Sequence, residues 1–124
     1  MEIKPTRPFQ YIAFFTVELR TQEGPAFVFI GYDVFQDKVF QLGLERDKRA
    51  DTVLQNVYRM VDHPFFQDYR GEGFTLLIEE FETLTDQMEK IVNPSGGRVL
   101  YNCALTNEVI HSVLASMAQS LGQS

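Results

Sequence analysis

Apolar and polar positions alternate most clearly over residues 11–20. Tyr11, Ala13, Phe15, Val17 and Leu19 fall on one side of an extended chain there, and Ile12, Phe14, Thr16, Glu18 and Arg20 on the other. One side is wholly apolar, while the other begins apolar and turns polar at Thr16. A strand buried on both faces over its first half carries this pattern, which predicts a central place in a sheet. The residues before it include Pro5 and Pro8 and read as an irregular lead-in. Thr21-Gln22-Glu23-Gly24-Pro25 predicts a turn, and residues 26–35 a second strand. Gln36-Asp37-Lys38 then turns the chain into a third strand over residues 39–45. Loops this short join antiparallel neighbours, so the three runs predict a meander. Gly31 and Gly43 lie inside it, where glycine marks a bulge or the close approach of another backbone.

The period then changes from two to that of a helix. Val53, Leu54, Val57, Met60 and Val61 form an apolar stripe, with Asp51 expected to cap the helix and His63-Pro64 to end it near Asp62. Residues 65–73 read as a loop carrying Phe65, Phe66 and Tyr69. Residues 74–92 admit two readings. Leu77, Ile78, Phe81, Leu84, Met88, Ile91 and Val92 keep helical spacing throughout, so one helix over 75–92 is open. Gly73 on one side and the capping-box spacing of Thr83-Leu84-Thr85-Asp86 on the other favour a buried strand followed by a short helix to Val92. A loop at 93–97, a strand at 98–104 and a final helix capped by Thr106 or Asn107 complete the chain, with Ile110, Val113, Leu114, Met117 and Leu121 as its stripe.

The order β-β-β-α-β-α-β-α predicts an α/β fold bordering on α+β. It should hold a mixed five-stranded sheet covered by helices, with the later strands parallel to the first and beside it. With no repeat or linker in its 124 residues, the chain reads as one domain.

Charge narrows the function more than composition does. Seventeen acidic against 11 basic side chains leave a net charge of −6, which counts against duplex nucleic acid as a partner. Arg46, Lys48 and Arg49 are interrupted by Asp47 and flanked by acids, so they read as a solvated connection. One cysteine forms no internal disulfide or thiolate metal site. No apolar run is long enough to span a membrane, and no signal-peptide pattern opens the chain, so a soluble, cytoplasmic protein is expected.

The element order resembles the ribonuclease H-like fold, and the resemblance covers most of the chain. Nucleases of that superfamily hold two divalent cations with carboxylates on the first strand, on later elements and on the last helix. In the related exonucleases the first strand carries Asp-x-Glu. The matching stretch here is Phe15-Thr16-Val17-Glu18, so Glu18 fits but Thr16 stands where Asp is expected. Their Asn followed by Asp is matched only by Asn102 and, at best, Glu108. A neutral Thr brings no negative charge to a hard cation, and the resemblance therefore implies a lapsed catalytic centre.

Two functional readings follow. The first is a non-catalytic, acidic domain that acts through protein–protein contact, as a regulator or inhibitor, with a protein partner or a second copy of itself. Phe65, Phe66 and Tyr69 are its candidate contact residues, since exposed aromatic patches mark partner surfaces. The alternative is a nuclease or phosphoesterase that uses Mg²⁺ or Mn²⁺ held by Glu18, Glu79, Glu80 and Glu108. The acids at 79–82 otherwise read as a solvated face, as do Asp33 and Asp37 at the second hairpin. His63 suits the cation-favouring end of its helix. Phe27, Phe29 and Phe35 are expected on one face of the second strand. Cys103 reads as a small hydrophobe rather than a nucleophile paired with His111.

Overall fold

In the computed structural model, residues 5–64, 72–78 and 80–101 are described. Three strands, β1 (Tyr11–Thr21), β2 (Gly24–Asp33) and β3 (Lys38–Glu45), form the meander, followed by helix α1 (Ala50–Val61) and strand β4 (Phe74–Ile78). A single 3₁₀ turn, Glu82–Leu84, leads into helix α2 (Thr85–Val92), and a second, Asn93–Ser95, leads into β5 (Gly97–Tyr101). The five strands form one mixed sheet in the order β3-β2-β1-β4-β5. β1 pairs antiparallel with β2 and parallel with β4, so it is the central strand its two-sided apolar pattern predicts. The expected final helix and the end of the last expected strand lie outside the described residues.

Period-two alternation assigns each strand residue to a face. Ile12, Phe14, Phe29, Phe40, Phe74, Leu76 and Ile78 pack in one cluster with Val53, Val57 and Met60 of α1 and Met88 and Val92 of α2. Ala13, Phe15, Val28, Ile30 and Tyr32 form a separate buried cluster on the opposite face. Each fully buried large apolar side chain of this kind contributes about 1.5–3 kcal/mol. Gly31 is needed at its place in the first cluster, because a Cβ there would lie 2.5 Å from the Phe40 ring. The predicted irregularity in the meander is a bulge: Phe29 pairs with Gly43 and Ile30 with Gln41, leaving Leu42 as the extra residue of β3.

Residues 74–92 are a strand, a 3₁₀ turn and a helix, not one helix. The strand ends at Ile78, and Phe81 takes φ +68° to redirect the chain, its ring 6.4 Å from that of Phe14. Neither of the two helix caps expected within the described residues forms. Arg49 holds the N-cap position of α1, and Asp51 lies inside the first turn. Asp47 organises that entry instead, accepting from the Arg49 N–H at 3.0 Å and the Thr52 hydroxyl at 2.7 Å. These bonds hold its carboxyl below the usual range. Before α2, Leu84 stands at the N-cap, and the Thr85 hydroxyl donates to the Glu82 carbonyl at 2.8 Å, so Thr83 and Asp86 make no capping box.

Candidate functional site

Four residues from separate elements meet beyond the carboxyl end of β4, where β1 continues past its parallel partner. Thr16 lies where β1 leaves the core, on the face shared by α1 and α2, opposite Phe29 in register. Glu80 follows the end of β4, and its carboxylate is engaged from two sides. The Thr16 hydroxyl donates to Oε1 at 2.9 Å, and the Lys48 ammonium donates to Oε2 at 3.1 Å. Lys48 comes from the segment between β3 and α1 that Asp47 ties to the helix. Its Nζ stands 5.1 Å from the centroid of the Phe27 ring, which is on the same face of β2 as Phe29.

The Lys48 and Glu80 side chains are each 36% exposed, so solvent screens the pair and its worth to folding is about 0–1 kcal/mol. Its chemical effect is larger than its stability effect. One carboxylate is neutralised by one ammonium, and the remaining first-strand group is a neutral hydroxyl that spends its proton on the same carboxylate. A hard divalent cation needs several oxygens carrying net negative charge. This set offers one such group, already matched, and does not fit a two-metal centre. Among the described residues, no three His, Cys, Asp or Glu side chains are grouped to hold a metal ion.

Of the acids singled out in the sequence, Glu80 is placed at this site. Glu18 lies two residues beyond Thr16, opposite Phe27, and is exposed. Glu79, Glu108, Phe65, Phe66 and Tyr69 lie outside the described residues, as do Asn102, Cys103 and His111. Glu80 is thus no free surface acid, and Lys48 crosses to it rather than lying in a merely solvated connection. Arg46, by contrast, is exposed as expected and pairs with Glu23 at 3.3 Å.

Three further readings change. Asp33 is fully buried rather than exposed. Its Oδ1 accepts from the Phe35 N–H at 3.1 Å, while Oδ2 has no hydrogen-bond partner among the described residues. Burial pushes its carboxyl up, an effect partly offset by backbone N–H groups and Lys38. Asp37 is exposed as expected, but accepts from the Tyr32 hydroxyl. Burial and this partnership raise the Tyr32 pKa. His63 is not a stabilised helix-end cation, because burial and then Lys38 depress its pKa and favour the neutral ring, which packs 5.1 Å from Phe40. Phe29 is buried and Phe27 half-buried on one face of β2, whereas Phe35 lies past the strand end and is 46% exposed.

Lys48 and Phe27 are the members that sequence reasoning missed as a site. The available signal was Thr16 itself: a neutral residue at the expected carboxylate position invites a search for what balances the remaining acid.

Neither a family model nor a curated protein matches this chain. Solved structures do. A chain of the simian T-cell lymphotropic virus intasome, solved with the PP2A regulatory subunit B56 gamma, superposes with a TM-score of 0.68 at 6% identity, over 87% of this chain and 38% of that one. The HTLV-2 integrase catalytic core domain in complex with magnesium gives 0.67 in its dimeric form, at 6% identity, covering 94% of this chain and 72% of that one. Its trimeric form gives 0.67 at 5% identity, covering 94% and 71%. This chain therefore spans well under half of the first neighbour and about seven-tenths of the core domains. The integrase catalytic core is ribonuclease H-like, and the present chain has that fold, the likeness lying in the fold alone.

Proposed function

We propose that this chain is a ribonuclease H-like domain that acts without catalysis, through contact with another protein. The observation that carries this reading is the double engagement of Glu80, by the Thr16 hydroxyl and the Lys48 ammonium. An internal cation stands against the carboxylate at the end of β4, so that end of the sheet is electrostatically satisfied without a ligand. The partner that suits a net charge of −6 is a protein with a basic surface, and a second copy of the chain is the other candidate. Phe65, Phe66 and Tyr69 serve as its aromatic contacts in this reading, which goes with a cytoplasmic setting.

The experiment is a melting series in Mg²⁺ and in Mn²⁺, joined to a nuclease assay on single- and double-stranded DNA. A cation that binds the folded state only would raise the melting temperature by mass action. The expected outcome is no rise and no cleavage. A saturable rise lost in Glu80→Gln, or metal-dependent cleavage lost in the same variant, would overturn the proposal.

The fold likeness supports the second reading, a metal-dependent nuclease or phosphoesterase built on Glu18, Glu79, Glu80 and Glu108. That reading requires Lys48 to leave Glu80 when metal arrives. It therefore predicts that Lys48→Ala binds Mn²⁺ more tightly than the parent chain, whereas the interaction reading predicts binding by neither.

A further inference from the structure

A second polar concavity, of about 390 Å³, opens at the other end of the parallel strands, where β1, β4 and β5 begin. Thr16 lies five residues along β1 from Tyr11, so the two ends are about 16 Å apart at about 3.3 Å per residue. The register builds one wall of this cleft. Tyr11 pairs with Thr75, and Thr75 pairs with Arg98, so three side chains stand in a row on one face across three neighbouring strands. Gly97 also lines the cleft; it pairs with Phe74, and a Cβ there would point to the other face of the sheet and collide with the Phe74 ring.

The row is rich in donors and its geometry is fixed. Arg98 donates from Nε to the Thr75 hydroxyl oxygen at 3.2 Å, which orients the guanidinium, and neither Nη group is hydrogen-bonded among the described residues. With that oxygen acting as acceptor, the Thr75 hydroxyl proton remains to be donated. Across the mouth, Arg7 is held by the carbonyls of Glu72, at 2.8 Å, and Gly73, and its Nε stands 3.7 Å from the exposed Glu72 carboxylate. Arg7 thus shapes the rim and is partly matched. Among the described residues, no carboxylate pairs with Arg98. A cleft lined by two arginines runs against the net charge of −6 carried by the whole chain. Its volume falls in the range of small-molecule sites, about 300–1,000 Å³.

We propose that this cleft binds a small organic anion, with the phosphate or carboxylate head held by Arg98 and the Thr75 hydroxyl and the body lying toward Tyr11. A planar guanidinium fork matches either head in a bidentate manner. The site is separate from the Glu80 cluster and does not depend on how that cluster is read.

The test uses the full chain labelled with ¹⁵N, titrated at constant ionic strength with phenyl phosphate, inorganic phosphate and benzoate. Amide shifts should saturate below about 10 mM probe, as millimolar affinity requires, and should centre on Gly73, Thr75, Gly97 and Arg98. Phenyl phosphate against benzoate tells a phosphate head from a carboxylate head, and inorganic phosphate tells whether the ring contributes. Arg98→Gln, at an exposed position, should keep the spectrum of a folded chain and weaken the preferred probe about tenfold or more, with Arg98→Lys in between. Thr75→Val should weaken it less. Non-saturating shifts for all three probes, or equal affinity in Arg98→Gln, would overturn the proposal.

Discussion

The two ends of the parallel strands treat charge in opposite ways. At the carboxyl ends, Glu80 is matched by Lys48 and capped by Thr16. At the amino ends, the Arg98 guanidinium is oriented by Thr75 with no acid against it among the described residues. Open α/β sheets usually keep their ligands at the carboxyl ends. In this molecule that end is satisfied from within, and the oriented, unmatched charge lies at the other. A fold can thus point to the place where chemistry is customary while the side chains have moved the unspent interactions elsewhere.

The harshest way to break this contrast is to overpack the core beneath the amino-end cleft. Gly97→Ala drives a Cβ into the Phe74 ring, and overpacking of this kind costs about 1–3 kcal/mol. A urea midpoint unchanged from the parent would mean that the ring moves aside freely and the cleft has no firm base.

Thr16→Asp attacks the other end. It replaces the hydroxyl donor 2.9 Å from Glu80 with a second carboxylate. Two like charges at that separation, with a single ammonium on the other Glu80 oxygen, should lower stability at neutral pH by about 1 kcal/mol, less at high salt. The loss should shrink on acidification, since the pair can then share a proton. Equal losses at neutral and acid pH would show that lost packing, not charge, is responsible.

Lys48→Ala should cost less, within about 1 kcal/mol, because the pair is screened. Chemical denaturation measures it. A cost of several kcal/mol would mean that the carboxyl end is far less solvated than its exposure implies, and its contrast with the amino end would narrow.

The smallest effect belongs to neither end and serves as a control. The His63 pKa is depressed in the folded chain, so its contribution is fully present above the unfolded value of 6.5 and is lost as pH falls through the lower folded value. His63→Gln should therefore remove part of the stability difference between about pH 7.5 and about pH 5, without altering either cluster. An unchanged difference would place the acid sensitivity elsewhere. Asp33 does not produce the same signature. Its raised carboxyl pKa makes it a contributor below the unfolded value of 3.8 whose help is lost as pH rises through the folded value.

The fold was legible wherever local pattern and long-range packing agree. The alternation at Tyr11–Thr21 announced a central strand because burial on both faces writes itself into consecutive residues. Gly73 and the capping-box spacing at Thr83-Leu84-Thr85-Asp86 pointed to the division between β4 and α2, although the box itself does not form and the helical spacing of the same apolar residues argued otherwise. The helix caps were misread because Asp51 and Thr83 have the right chemistry one or two positions from where the backbone turns. The burial of Asp33 was hidden, since nothing in a hairpin sequence tells which turn residue the lead-in at Phe9 will cover. The candidate site was half legible. Thr16 could be seen as a departure from the carboxylate pattern, but its balance with Lys48 joins segments 32 residues apart in sequence from Glu80. Arg98 read as the first residue of a strand until the register set it beside Thr75.

The extra residue at Leu42 has a bearing on how this protein behaves in a crowd. β3 is the outer strand of the sheet, and it exposes Val39 and Leu44, which makes it a natural template for a neighbour's backbone. The bulge divides its regular pairing into a run of four residues, Lys38 to Gln41, and a run of three, Gly43 to Glu45. Stacked fibrils grow from uninterrupted segments of about six or seven residues. Neither run is long enough to seed one. The same bulge therefore shortens the segment that the edge offers to a stacking copy.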